Sequence, residues 1–200
     1  MGNSKTEEMK KIKDEVLALT SSPLYAYRTE NNYFPVIGEG SHDAEIIFIG
    51  EAPGENEAKT ARPFCGAAGR VLDKLLESIQ LNRADVYVTN IVKDRPPENR
   101  DPTPAEIAIY SPFLARQIDI IQPKVIATLG RFSMQYILDM FKMPESGTPI
   151  SKLHGKKLKA QSSFGHITVI PLYHPAVALY NPGTRKAMEV DFQLLKEFVK

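Results

Sequence analysis

Four short apolar runs, each followed by a helical pattern, constrain this chain more than any other feature. They are residues 46–49 (I-I-F-I), 85–93 (D-V-Y-V-T-N-I-V-K), 124–129 (K-V-I-A-T-L) and 166–171 (H-I-T-V-I-P). Consecutive apolar positions over so short a length mark strands covered on both faces. After the first run, Val71, Leu72, Leu75, Leu76 and Ile79 form one helical face. After the second, Thr103-Pro104-Ala105-Glu106 supplies an N-cap, a proline at the first helical position and a capping-box glutamate, opening a helix to about residue 121. Residues 131–141 follow the third run, and Met188, Phe192, Leu195 and Val199 mark a closing helix after the fourth. Strands alternating with helices imply parallel pairing with helices on both sides. The expected fold is α/β, three layers α/β/α around a central, mainly parallel four-stranded sheet, in one domain over residues 1–200. Ser4 with Glu7, followed by Met9, Ile12, Val16 and Leu19, predicts a further helix at the start. Residues 20–44, punctuated by Pro23, Pro35, Gly38 and Gly40, read as irregular, and 144–163 as a mobile excursion with one short ordered piece.

The loop after the first run is where chemistry concentrates. Residues 45–69 read E-I-I-F-I-G-E-A-P-G-E-N-E-A-K-T-A-R-P-F-C-G-A-A-G. In an open α/β sheet, ligands bind beyond the carboxyl ends of strands. Here that position carries Glu51, Glu55 and Glu57, the permissive backbone of Gly50 and Gly54, and the ring of Phe64. Such a set suits a flat, polar ring compound. Taken alone, G-x-x-x-G is a common turn with solvated glutamates, and neither G-K-[ST] nor G-x-G-x-x-G is present. The topology, however, delivers Asn90 and His174 from two other strand ends to the same edge. Singly, each reads as a turn residue or a surface histidine. Together with Phe64 and the glutamates they mark a crevice.

Composition sets outer bounds. With 200 residues and 42% hydrophobic content the chain can build one adequate core. A net charge of +1 leaves any basic surface to be local. The single cysteine, Cys65, excludes an internal disulfide and any all-cysteine metal site within one chain. The polar start and the lack of a long apolar run point to no signal peptide, no membrane and a cytoplasmic location.

Five segments in order, G-E-A-P-G-E-N-E, R-P-F-C-G-A-A-G, V-T-N-I-V-K-x-R-P-P-x-N-R, V-I-A-T-L-G and H-P-A-V-A-L-Y-N-P, resemble the uracil-DNA glycosylase superfamily, closest to its family 4. The resemblance runs from about residue 22 to the last helix. It implies hydrolysis of the N-glycosidic bond of deoxyuridine in DNA, releasing uracil and leaving an abasic site, with uracil-containing DNA as partner. It also implies a uracil pocket of Glu51, Ala52, Pro53, Phe64, Asn90 and His174. Phe64 offers a ring to stack on. The amide of Asn90 matches the O4 and N3–H edge, and would suit cytosine if flipped unless neighbours fix it. His174, donating towards O2, would stabilise charge on the departing base. A carboxylate near the sugar is implied to orient water. Glu51 and Glu57 are both candidates, Glu51 the closer, while Ala52 stands where family-1 relatives carry aspartate. Leu179 and Tyr180 lie in a loop resembling the segment that fills the gap in DNA, Tyr180 standing where family members often have arginine. Lys59, Arg62, Arg95, Arg100 and Arg185 are available to neutralise phosphates and read equally as solvated charges.

The chain also departs from family 4, whose members carry an iron–sulfur cluster on four cysteines. The matching positions are Leu19, Ser22, Asp94 and Ser111, and none offers a thiolate. No cluster, metal or other cofactor is expected, which leaves the region to packing or hydrogen bonds, with Leu24, Tyr25 and Tyr27 as candidates. No inserted basic loop with a histidine lies between Asn90 and Pro104, so covalent trapping of DNA is not expected. A monomer is expected. Other readings stay open: a glycosylase for another damaged base, a catalytically silent DNA-damage binding module, or a small-molecule nucleoside or metal hydrolase. Against the last stands the lack of a companion for His154 or His174 at ligand spacing.

Overall fold

The computed structural model describes residues 4–198. The expectation for Val199 lies outside the described residues. Ser4 and Glu7 form the capping box of α1 (Lys5–Leu17). The segment read as irregular contains a short helix, α2 (Tyr25–Glu30), and a two-residue strand, β1 (Glu39–Gly40). Then come β2 (Ile46–Gly50), α3 (Glu55–Thr60), α4 (Ala67–Ser78), β3 (Tyr87–Asn90) and α5 (Pro104–Ile121). The remainder is β4 (Val125–Leu129), α6 (Arg131–Met140), α7 (Ile150–Leu153), β5 (Leu158–Ser162), β6 (Gly165–Leu172) and α8 (Pro182–Gln193). Thr103 and Glu106 form the capping box of α5 with Pro104 in its first turn.

The sheet has six strands in the order β1-β3-β2-β4-β6-β5. Its centre is the four-stranded parallel set read from the sequence. β1 and β5 are added at the edges, antiparallel to β3 and β6. The excursion over 144–163 is therefore two ordered pieces, α7 and β5. β5 alternates buried Leu158 and Ala160 with exposed Lys159 and Gln161, a half-solvated edge blunted by its charge.

Side chains alternate across the sheet and build two cores. Ile47, Ile49, Ile126 and Val169 face α1, α5 and α6 through Ile12, Leu114, Ile118 and Ile137. Ile46, Phe48, Val88, Ala127 and Ile170 face α4 and α8 through Leu72, Leu76, Met188 and Phe192. The helices after the adjacent strands β2 and β4, α4 and α6, thus lie on opposite faces. Their divergence opens a crevice beyond the strand ends.

Candidate active site

A cavity of about 570 Å³ occupies that crevice, its lining including Ala52, Gly54, Glu57, Phe64, Asn90, Asn99 and His174. Phe64 is held in an uncommon backbone conformation, φ +48°, for so large a residue. Two neighbours hold it there. Glu57 Oε1 accepts hydrogen bonds from the amides of Cys65 and Gly66, both at 3.1 Å, tying α3 to the start of α4. Gly69 sits beneath the turn, where a β-carbon would come within 1.7 Å of the Phe64 carbonyl oxygen.

Asn90 is paired in register with Gly50. A β-carbon on Gly50 would lie 2.3 Å from Asn90 Oδ1 and 2.8 Å from Phe64 Cζ, so the missing side chain leaves room for both. Asn90 is 2% exposed, yet its side-chain amide has no hydrogen-bond partner among the described residues. The unpaired amide lines the cavity, where it is free to give and accept hydrogen bonds.

His174 follows β6. Its Nδ1 accepts the Ala176 amide at 3.2 Å, so that nitrogen carries no proton and Nε2 does. Burial lowers the imidazole pKa, with Glu57 pulling weakly the other way, which keeps the ring neutral. Its ring centroid lies 5.7 Å from that of Phe64.

Glu51 stands at the end of β2, and its carbonyl accepts from Val92 N at 3.0 Å, which extends the β2–β3 ladder past Asn90. It is half-buried and is not among the residues lining the cavity, nor is the buried Pro53, although Ala52 and Gly54 of the same loop are. Burial, then the charge of Asp101, push the Glu51 carboxyl up to about 7, and Arg131 opposes them.

The expected phosphate-binding cations are unequal. Lys59 pairs with Glu55 at 2.5 Å, Arg62 with Glu39 at 2.8 Å and Arg100 with Glu106 at 2.5 Å. Arg95 is only 8% exposed and turns inward, donating to Asn99 Oδ1 at 2.8 Å and to the Tyr33 hydroxyl at 2.7 Å. It holds a cavity wall. Arg185 pairs with Glu189 and lines a second cavity of about 390 Å³ beside Leu179, together with Arg70 and Lys74. Leu179 and Tyr180 close the turn between β6 and α8, and Tyr180 is 86% exposed. Asn99 lines the cavity without having been singled out in the sequence, and Asp101 and Arg131 act only through their charges on Glu51. Asn99, at φ +54°, had one signal in its favour, since asparagine tolerates that conformation.

At Leu19, Ser22, Asp94 and Ser111, where the resemblance places the four cluster cysteines, the side chains do not fit such a group. Asp94, 1% exposed, receives Arg28 Nη1 at 3.1 Å and lies 2.5 Å from the Tyr110 hydroxyl. That hydroxyl is 2.7 Å from Ser22 Oγ. Arg28 also donates to the carbonyls of Val16 and Leu17 at the end of α1. The oxygens of Ser22 and Asp94 are thus committed to a buried hydrogen-bonded network, Leu19 packs against the core, and Ser111 Oγ bonds back to its own helix. Nowhere among the described residues do three or more His, Cys, Asp or Glu side chains group to hold a metal ion.

Residues 37–196 match the family model "Uracil DNA glycosylase superfamily". Among curated relatives, the type-4 uracil-DNA glycosylase of Sulfurisphaera tokodaii is 49% identical over 192 residues, covering 96% of this chain and 84% of the relative. That of Archaeoglobus fulgidus is 42% identical, covering 96% and 93%. That of Thermotoga maritima is 40% identical, covering 98% and 97%.

Proposed function

The chain belongs to the uracil-DNA glycosylase superfamily, and on that footing we infer that it excises uracil from DNA by hydrolysing the N-glycosidic bond. One observation carries the assignment to this cavity: the unpaired Asn90 amide, the Phe64 ring and a neutral His174 line it together. A flipped uracil stacks on Phe64 and presents O4 and N3–H to Asn90.

As the bond between C1′ and N1 breaks, both electrons leave with the base and positive charge grows on the sugar. His174 donates from Nε2 towards O2, where negative charge collects, without first having to lose a proton. Glu51, ionised above about 7, stands beside the cavity rather than in its lining, and acts on the sugar charge through the water it orients. The water oxygen bonds to C1′, its proton passes to the carboxylate, and the uracil anion is protonated from solvent. Glu57 is the weaker candidate, because two backbone amides already occupy one of its oxygens.

Catalysis proceeds here without an iron–sulfur cluster, a reading supported by the donor chemistry at the four matching positions. Leu179 and Tyr180 fill the gap left by the base, and Arg185, with the exposed cations at the mouth, meets phosphates. The enzyme works as a monomer, which light scattering checks. No described helix is long and apolar enough to cross a membrane.

The deciding experiment uses labelled oligonucleotides with one uracil, single-stranded or opposite guanine or adenine, followed by alkali to break abasic sites. Uracil-dependent cleavage that Asn90→Ala abolishes supports the reading. No cleavage by well-folded protein would redirect attention to other deaminated bases.

A further inference from the structure

Lys93, three residues beyond Asn90, is wholly buried. Its Nζ lies 2.7 Å from the Asn90 carbonyl oxygen, 2.6 Å from Gln117 Oε1 and 2.8 Å from Thr89 Oγ1. None of the three returns a proton. Carbonyl and amide oxygens only accept, and the Thr89 hydroxyl gives its proton to the Ile37 carbonyl at 2.7 Å. Gln117 is fixed the same way round, since its Nε2 donates to Ile37 O at 2.9 Å and to the Tyr87 hydroxyl at 3.1 Å. Three acceptors around one lysine nitrogen require three N–H donors, which is an ammonium. Burial pulls the lysine pKa well below its usual value; hydrogen bonds to three acceptor oxygens favour the charged form. Among the described residues no carboxylate pairs with Lys93; the adjacent Asp94 is turned to Arg28. A buried charge without a counter-ion is costly to the fold, and such groups concentrate at functional sites.

We propose that Lys93 is a positioning residue that sets a fixed positive charge behind the base-reading edge of the cavity and so favours the departing uracil anion over neutral bound uracil. The proposal rests on the uracil-excision reading above. Asn90 is the link, its carbonyl on Lys93 and its side chain on the cavity. Negative charge on the leaving base is shared between O2 and O4. His174 meets the first, and the ammonium lies behind the residue that meets the second. Because the charge is buried and held by three bonds, it needs no reorganisation as the bond breaks.

Single-turnover excision of uracil and of 5-fluorouracil from the same DNA separates this role from a structural one. 5-Fluorouracil leaves more readily as an anion and needs less help. Lys93→Met should slow uracil excision by about tenfold or more and 5-fluorouracil excision by distinctly less, with DNA affinity little changed. Gln117→Glu keeps the ammonium and sets a carboxylate against it. It should show the same selective loss, and it decides the matter if Lys93→Met fails to fold. Equal losses on both bases, or no loss, would overturn the proposal. Wild-type protein that excises neither base would instead overturn the uracil-excision reading.

Discussion

The Ala176 amide donates to His174 Nδ1 at 3.2 Å, and this local contact decides which ring nitrogen is left to donate. With Nδ1 an acceptor, the proton resides on Nε2, and burial keeps the ring from taking a second. His174→Ala should therefore lower the excision rate by about 10²–10³, the usual effect of losing one oxyanion donor, while DNA affinity changes little. Single-turnover kinetics beside a binding titration checks both halves. Equal loss of rate and affinity would make His174 a binding group.

If Glu51 orients the water, as proposed, excision carries a pH signature. Its carboxyl titrates at about 7, and only the ionised form can face the sugar charge or take a proton from water. Activity should therefore rise with pH through about 7. Asp101→Asn removes a charge that raises this pKa and should move the rise to lower pH. Arg131→Gln removes one that lowers it and should move the rise to higher pH. Glu51→Gln should abolish the rise together with most of the activity. Profiles of single-turnover rate against pH for the four proteins test the assignment, and unmoved limbs would exclude Glu51.

The parallel centre of the sheet was legible because Ile46 to Ile49 and Val125 to Leu129 are apolar at nearly every position, as two-sided burial demands. β5 was not, since its outward Lys159 and Gln161 look like loop residues until an edge is there to pair with. The meeting of Asn90 and His174 at one cavity was legible because topology brings those strand ends together. What escaped was the fate of charges. Arg95 resembles a phosphate ligand in sequence, yet tyrosines 27 and 33 and Asn99 draw it inward. Lys93 finds its three acceptors on residues 89, 90 and 117, which no local pattern connects.

Leu179 and Tyr180 extend from the turn after His174, and the exposure of the tyrosine ring has no counterpart in its packing. If these side chains fill the gap left by a flipped base, they matter only where a stack must be opened. Leu179→Ala with Tyr180→Ala should slow excision from a uracil–adenine pair by about tenfold or more, given an unstacking cost of a few kcal/mol. Single-stranded substrate should be affected much less. A loss of the same size on both substrates would place these residues in general DNA binding.

The Arg28–Asp94 pair ties the end of α1, α2, the loop after β3 and α5 into one buried network. Removing one partner strands the other charge out of water. Asp94→Ala should therefore cost about 3–5 kcal/mol of stability, measured by urea unfolding. The double change Arg28→Met with Asp94→Leu should cost less than Asp94→Ala alone, because neither charge then remains unpaired. If this network is what holds the region together, a chelator should leave the wild-type melting curve unchanged, and protein prepared without oxygen should contain no stoichiometric iron. A melting curve that drops with chelator, alongside bound iron, would mean that a metal shares the task. A double variant as unstable as Asp94→Ala would mean that the hydrogen bonds to Tyr110 and to the α1 carbonyls, rather than the charges, are what the fold depends on there.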